Sequence, residues 1–273
     1  MSDPNSSQTF ILSLIQLPQN NVSDFWYDKA GKKVNNQNSL SSFSSTSTYP
    51  PTVKTSAGNL IYDTTAKAYH LTYNNTTDHY SADIWFYGAL PGVTVGPDYV
   101  SGGQTMFWTN PVLTSSVSGW VNIPNYGQIS VNGWRGYHDH NWGNFSLINQ
   151  SWRGWEWGVS HNPDGSGAAM FSVVNADGTY AGETIHATAT GTTFCNANYT
   201  ASNWTFNNGE WFPLKVVQNC PAPPSYNDTW TVTQPFVLNS FAFLLDEGEG
   251  VTVPGSVGLI EHGRTAQFNF LGS

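Results

Sequence analysis

The chain has 273 residues, enough for one large β domain or two of ordinary size. Only 10% are charged and 15% are aromatic, and Lys+Arg 9 against Asp+Glu 18 leave a net charge of -9. That balance offers no basic patch for phosphates, which excludes nucleic acid and an anionic membrane surface and leaves a neutral or weakly basic small molecule as the better partner.

In chain order, the first apolar run is Phe10-Ile11-Leu12-Ser13-Leu14-Ile15-Gln16-Leu17. It falls short of the roughly 18 residues of a membrane span, and no basic residues precede it as in a signal peptide. It reads as an early buried strand. Residues 35–55 are dominated by Ser, Thr, Asn and Pro and predict a long loop or mobile lid. Beyond them, alternating or β-rich runs recur at 69–73, 82–87, 127–131, 154–160, 168–174, 226–233 and 236–244. Asn162-Pro163-Asp164-Gly165 and Asn175-Ala176-Asp177-Gly178 supply hairpin-turn chemistry. No window shows apolar residues at i, i+3, i+4 and i+7, so few or no helices are expected. The regular spacing predicts an all-β, antiparallel sandwich or barrel. A domain boundary is expected near residues 124–127. Residues 195–220 read as a second long loop, pinned by one disulfide between Cys195 and Cys220. Asn5, Asn21, Asn74, Asn75, Asn144, Asn149, Asn198, Asn203 and Asn227 each begin an Asn-X-Ser/Thr triplet. Together with the disulfide they predict a glycosylated, secretory or extracellular protein, a mature chain whose signal peptide was removed and whose Met1 was added for expression.

The segment with most chemistry is Gly136-Tyr137-His138-Asp139-His140-Asn141-Trp142-Gly143. Read as a strand from Trp134 to Trp142, it places Trp134, Gly136, His138, His140 and Trp142 on one face, with Arg135, Tyr137, Asp139 and Asn141 on the other. Tryptophans offer a flat apolar bed, and an imidazole exchanges protons near neutral pH. The run Trp152-Arg153-Gly154-Trp155-Glu156-Trp157 adds Trp155 and Trp157 to one face and Glu156 to the other. Gly258-Leu259-Ile260-Glu261-His262-Gly263-Arg264 brings an acid, an imidazole and a guanidinium together. Plainer roles stand beside these. His138 and His140 at i and i+2 match a metal pair without a third ligand in sight, so no metal and no cofactor are expected. A structural His–Asp pair, core tryptophans and a surface Glu156 are further alternatives. No Gly-Xaa-Ser-Xaa-Gly elbow, phosphate-cradling loop or paired-cysteine zinc site occurs.

Asp139-His140-Asn141-Trp142-Gly143, then Trp155-Glu156-Trp157, then Asn175-Ala176-Asp177-Gly178 resemble the hydroxyneurosporene synthase family, and Gly258-Leu259-Ile260-Glu261 is similar to its last-strand pattern. The resemblance implies two packed lipocalin-like β domains, here expected at 1–128 and 129–273, the second a barrel carrying the motif, with an apolar pocket. Bacterial members hydrate carotenoid double bonds. A fungal branch comprises natural-product cyclases, including decalin-forming and hetero-Diels–Alderases, and the sequons and disulfide favour that branch. The hydratases pair the signature His and Trp, here His140 and Trp142, with an acid on a following strand. Residues 168–174 are the expected counterpart and hold no acid, which argues against hydration.

The expectation is therefore a cofactor-independent (hetero-)Diels–Alderase joining a polyketide-derived quinone methide or diene with a terpene or alkene. His138 or His140 would assist loss of a benzylic hydroxyl, Tyr137 or Arg264 would orient the oxygen, and Asp139 would complete the catalytic group. Trp134, Trp142, Trp155, Trp157 and Glu261 would bind substrate. The alternatives are a lipocalin-like carrier of apolar molecules, a polyene hydratase or isomerase, and a glycan-binding module. Exposed β edges allow a homodimer.

Overall fold

A computed structural model describes the chain except residues 7, 17–20, 30–31, 47, 49, 91, 102–103, 146–151, 176, 208–209, 222–225, 241–242, 252–253 and 266–273. Among the described residues it is all β, with antiparallel pairing throughout and no helix. The chain divides into two compact units that share segments: residues 1–89 and 114–138 form the first, and 90–113 and 139–273 the second. A single cut between 128 and 129 does not reproduce this arrangement. Two of the crossings, at 113–114 and 138–139, fall inside β10 and β12, where no turn marks the passage.

In the first unit, β1 (Gln8–Gln16), β2 (Asn21–Lys29) and β3 (Lys32–Leu40) form a three-stranded antiparallel sheet. A second sheet carries β4 (Phe43–Ser45), β5 (Val53–Thr55), β6 (Gly58–Asp63), β7 (Ala68–Asn75) and β8 (Tyr80–Leu90). β9 (Thr94–Ser101) belongs to the second unit, β10 (Gln104–Ile123) runs through both, and β11 (Gly127–Ser130) pairs with its far end. Residues 35–55 are thus largely strand rather than one long loop. Ser, Thr and Asn lower the apolar signal there, but the backbone still finds ladder partners on β2 and β6. Between the sheets lie Phe10, Phe25, Tyr27, Tyr69, Tyr73, Ile84 and Phe86, all buried. Phe25 packs against Tyr80 at 4.4 Å, and the hydroxyls of Ser23 and Tyr73 share a hydrogen bond of 2.9 Å.

In the second unit, β12 (Arg135–Asn144) enters from the first and is followed by β13 (Trp152–His161), β14 (Gly167–Asn175), β15 (Tyr180–Thr188) and β16 (Gly191–Asn196). Then come β17 (Asn198–Asn207), β18 (Glu210–Cys220), β19 (Tyr226–Ser240), β20 (Phe243–Val251) and β21 (Val257–Thr265). The nine strands β13 to β21 form one sheet in the order β16-β15-β14-β13-β21-β20-β19-β18-β17. Its two ends meet. Cys195 on β16 and Cys220 on β18 are joined by a disulfide, Tyr180 and Tyr199 stack at 4.2 Å, and Ala197 N–H donates to Gly182 O. These contacts curl the sheet into a half-barrel, with no ladder between β16 and β17 among the described residues. Residues 195–220 are therefore a β hairpin, and the disulfide ties strands rather than pinning a loop.

Alternation sorts the barrel faces. Ala168, Met170, Phe212, Val216, Trp230, Val232 and Ile260 form one buried cluster inside it. Gly158 belongs to this inner face, because a Cβ there would meet Met170 Cε and the Trp230 ring at 3.1 Å. A side chain at 158 would displace the indole that fills the barrel. Trp155, Trp157 and Phe171 lie on the opposite face.

Candidate functional site

The motif strand β12 is built as alternation requires, although Trp134 sits just ahead of it. Trp134 is 4% exposed and belongs to the core of the first unit. The boundary between units falls between His138 and Asp139. His138 packs edge-on against the buried Tyr69 ring, with centroids 5.3 Å apart. Tyr137 and Arg135 are half-buried in the same unit.

On the second unit's side of that boundary, Asp139 accepts a 2.9 Å hydrogen bond from Trp108 Nε1. Trp108 is fully buried and packs at 5.6 Å on Phe171. Asp139 thereby anchors a core indole. Trp142 points the other way, stacks on Phe107 at 4.5 Å and donates its Nε1–H to Thr109 Oγ1 at 3.0 Å. Between them, His140 has a buried Nδ1 with no hydrogen-bond partner among the described residues. Burial lowers its pKa from the ordinary 6.5, so the ring is neutral at neutral pH. Gly143 has φ +142, and a Cβ there would fall 2.2 Å from Thr105 O, so glycine is needed for β12 to approach β10.

Trp155, Trp157 and Glu261 come together on the outer face of the barrel. Trp157 and Glu261 are register partners, and Trp155 donates its Nε1–H to Glu261 Oε1. The Trp155 ring covers Gly263, whose missing Cβ gives it room. Arg264 lies opposite Gly154 and Leu244 in register, and its side chain falls outside the described residues.

Glu156 is not a surface acid. It is fully buried and faces His262 across the β13–β21 pair, with its carboxylate 2.6 Å from His262 Nδ1. His262 is 3% exposed and is flanked edge-on by Phe212 and Trp204, at 5.8 and 5.5 Å. A second acid–imidazole pair had no advance signal in the sequence. Asp228 Oδ2 accepts from Thr184 Oγ1 at 2.8 Å and lies 2.6 Å from His186 Nε2. Asp228 alternates with Trp230 and Val232, a pattern that in retrospect marks an inward polar position on a core strand.

The predicted glycan acceptors differ in exposure. Asn5, Asn74, Asn144, Asn198, Asn203 and Asn227 are exposed and Asn21 is half-buried. Asn75 is 8% exposed, and its Oδ1 accepts from the backbone of Thr77 and Asp78. Asn149 lies outside the described residues. No metal-ligand cluster and no helix able to cross a membrane occur among the described residues.

No family model matches the chain, and no curated protein matches it. Among solved structures, a Nitrosomonas europaea protein assigned as AttH (NE1406) superposes with a TM-score of 0.63 at 13% identity. The alignment covers 94% of this chain and 86% of that one. At that identity the likeness establishes a shared lipocalin-like β fold and nothing finer.

Proposed function

We propose that the protein is a cofactor-independent cyclase of the (hetero-)Diels–Alderase type, related to the hydroxyneurosporene synthase family and acting in the secretory pathway on apolar polyketide and terpene substrates. The observation that carries this reading is His140: a neutral imidazole whose buried Nδ1 has no hydrogen-bond partner among the described residues, beside a tryptophan held flat by Phe107. A neutral ring can take the phenolic proton of a hydroxybenzyl alcohol and return it to the departing benzylic hydroxyl, which leaves as water. The quinone methide so formed adds to an alkene with no further proton transfer. A cycloaddition needs two π-systems held together in apolar surroundings and one or two hydrogen bonds, and it uses no redox group.

Incubating the protein with 2-hydroxybenzyl alcohol and an excess of a terpene alkene tests the proposal by chromatography of the chroman product. His140→Ala, in a folded protein, is expected to cut turnover at least about tenfold, the low end of what positioned acid–base groups contribute. Unchanged rate and stereochemistry in both His138→Ala and His140→Ala would overturn the assignment. Recovery of unaltered alkene with quenched Trp fluorescence would instead indicate a carrier. Hydration of a polyene is a second reading. It gains from Glu156, because the strand that follows the motif is β13, and β13 does carry a buried acid.

A further inference from the structure

We propose that Asn74 is a glycosylation site and that the sugars attached there lie in the open groove beside Trp120, on the outer face of the first unit's second sheet. The inference rests on the secretory part of the reading above and not on its cyclase chemistry. Two acceptor triplets overlap at this point, Asn74-Asn75-Thr76 and Asn75-Thr76-Thr77, and the fold separates them. Asn74 is exposed near the end of β7. Asn75 is buried, and its side chain is spent on the turn: it accepts from the Thr77 and Asp78 N–H groups and donates to Asp78 Oδ2. Of the two, only Asn74 can carry a sugar in the folded chain.

Alternation settles which way Asn74 faces. Tyr69, Leu71 and Tyr73 on β7 are buried, as are Ala82, Ile84 and Phe86 on β8. Thr72 and Asn74 therefore share the opposite face with their register partners Asp83 and Ser81. On β10, Val121 and Ile123 are fully buried, which sends Trp120 and Asn122 outward with their partners Ser130 and Gln128 on β11. Two contacts bring β10 to the corner that Asn74 occupies. Asn122 Nδ2 donates at 3.1 Å to His79 O, in the turn that follows Asn75. Gly119 packs on β8 so closely that a Cβ there would fall 2.0 Å from Asp83 O.

The groove has a volume of about 500 Å³ and is lined by Gly119, Trp120, Gln128, Ser130 and Asn132. It offers one indole, two primary amides and a hydroxyl, with no charged group. Asn132 Oδ1 already accepts from Gly119 N–H at 2.9 Å, so its amide hydrogens are what it presents to a ligand. N-acetylglucosamine, with which N-linked glycans begin, is neutral. Its apolar ring face suits an indole, and its acetamide and hydroxyls suit amide and hydroxyl partners. Past Asp83 the same sheet face is closed, because His70 stacks on Trp85 at 3.9 Å and its Nε2 lies 2.9 Å from Asp83 Oδ1. The open side is toward Trp120. Only β8 separates β7 from β10, so Asn74 and Trp120 stand about 10 Å apart across two strand spacings, within reach of the first two sugars. The covalent tether sets an effective concentration on the order of millimolar, so even a weak intrinsic affinity fills the groove.

Expression of the full chain in a eukaryotic host, with glycopeptide mapping and hydroxyl-radical footprinting of Trp120, tests the proposal. Sugar should be found on Asn74. It should be lost in Thr76→Ala, which removes that triplet alone, and kept in Thr77→Ala, which removes only the other. Trp120 should be protected from oxidation in the parent and in Thr77→Ala, and should lose that protection in Thr76→Ala. Trimming the folded parent with a glycosidase should expose Trp120 equally, which keeps the test decisive if Thr76→Ala does not fold. Millimolar N,N′-diacetylchitobiose should then protect Trp120 again in the bare protein. Sugar on Asn75, a bare Asn74 in a chain glycosylated elsewhere, or equal oxidation of Trp120 with and without sugar would each overturn the proposal and leave the secretory reading standing. Failure of chitobiose to protect the bare groove would do the same. A chain bare at every acceptor would overturn both.

Discussion

Within the motif, neighbouring residues carry different burdens. Asp139 holds Trp108, Trp142 is held by Phe107 and Thr109, and His140 between them is committed to no protein partner among the described residues. This difference has a consequence in pH. Because burial lowers the pKa of His140 from 6.5, the unfolded chain takes up its proton at a higher pH than the folded one. Between the two values the unfolded state binds more protons, so stability is full above about 6.5 and declines as the pH falls through that window. Thermal unfolding followed from pH 8 to pH 5 should therefore show a falling midpoint, and His140→Gln should flatten part of that fall. A midpoint that drops equally in both proteins would place the effect elsewhere. The alternation that assigned these faces was legible directly from Trp134 to Trp142, since one residue of register decides every side chain on a strand. The fate of Glu156 was not legible. Its partner His262 lies 106 residues away, and only the pairing of β13 with β21 brings them together.

At the scale of the element, the strands read most easily from sequence were those with clean alternation and strong turns. Asp164 and Asp177 each accept from the backbone and hydroxyl two residues on, Ser166 and Thr179, which closes the hairpins that Asn-Pro-Asp-Gly and Asn-Ala-Asp-Gly announced. Those bonds hold both carboxyls below their ordinary pKa. Among the strands missed were polar ones, β3 to β5 and the β17–β18 hairpin, where composition resembles loop and only the ladder reveals the element. Strand β21 shows how tightly the ladder is packed. An alanine at 263 would put its Cβ 2.2 to 2.4 Å from three carbons of the Trp155 indole, too close for the ring to stay on Glu261. Gly263→Ala should cost about 1–3 kcal/mol in urea unfolding, as overpacked cores do, and shift the emission of Trp155. A variant as stable as the parent would mean that the indole has another place to go.

For the whole molecule, an all-β antiparallel chain with a Cys195–Cys220 disulfide was legible from composition and turn spacing, but that the disulfide ties strands of one sheet was not. The interleaving of its two units was not, because β10 and β12 pass between units with no break in pattern. The disulfide and the acceptor asparagines together bear on where such a chain folds. Cys195 and Cys220 join strands near the two ends of one sheet, a bond that persists only in an oxidising compartment in most organisms. Asn198, Asn203 and Asn227 are exposed on β17 and β19 of the same barrel, where a glycan would displace no packed side chain. Asn75 is different: its amide is consumed by the turn that leads into β8, donating to Asp78 and accepting from two backbone groups. A glycan on that nitrogen would have to break the turn. Secretion from a eukaryotic host followed by glycopeptide mapping should find sugar on Asn198, Asn203 or Asn227 and none on Asn75. An intact mass unshifted by glycosidase would refute the secretory origin, and occupied Asn75 in a natively folded protein would refute the structural argument for its protection.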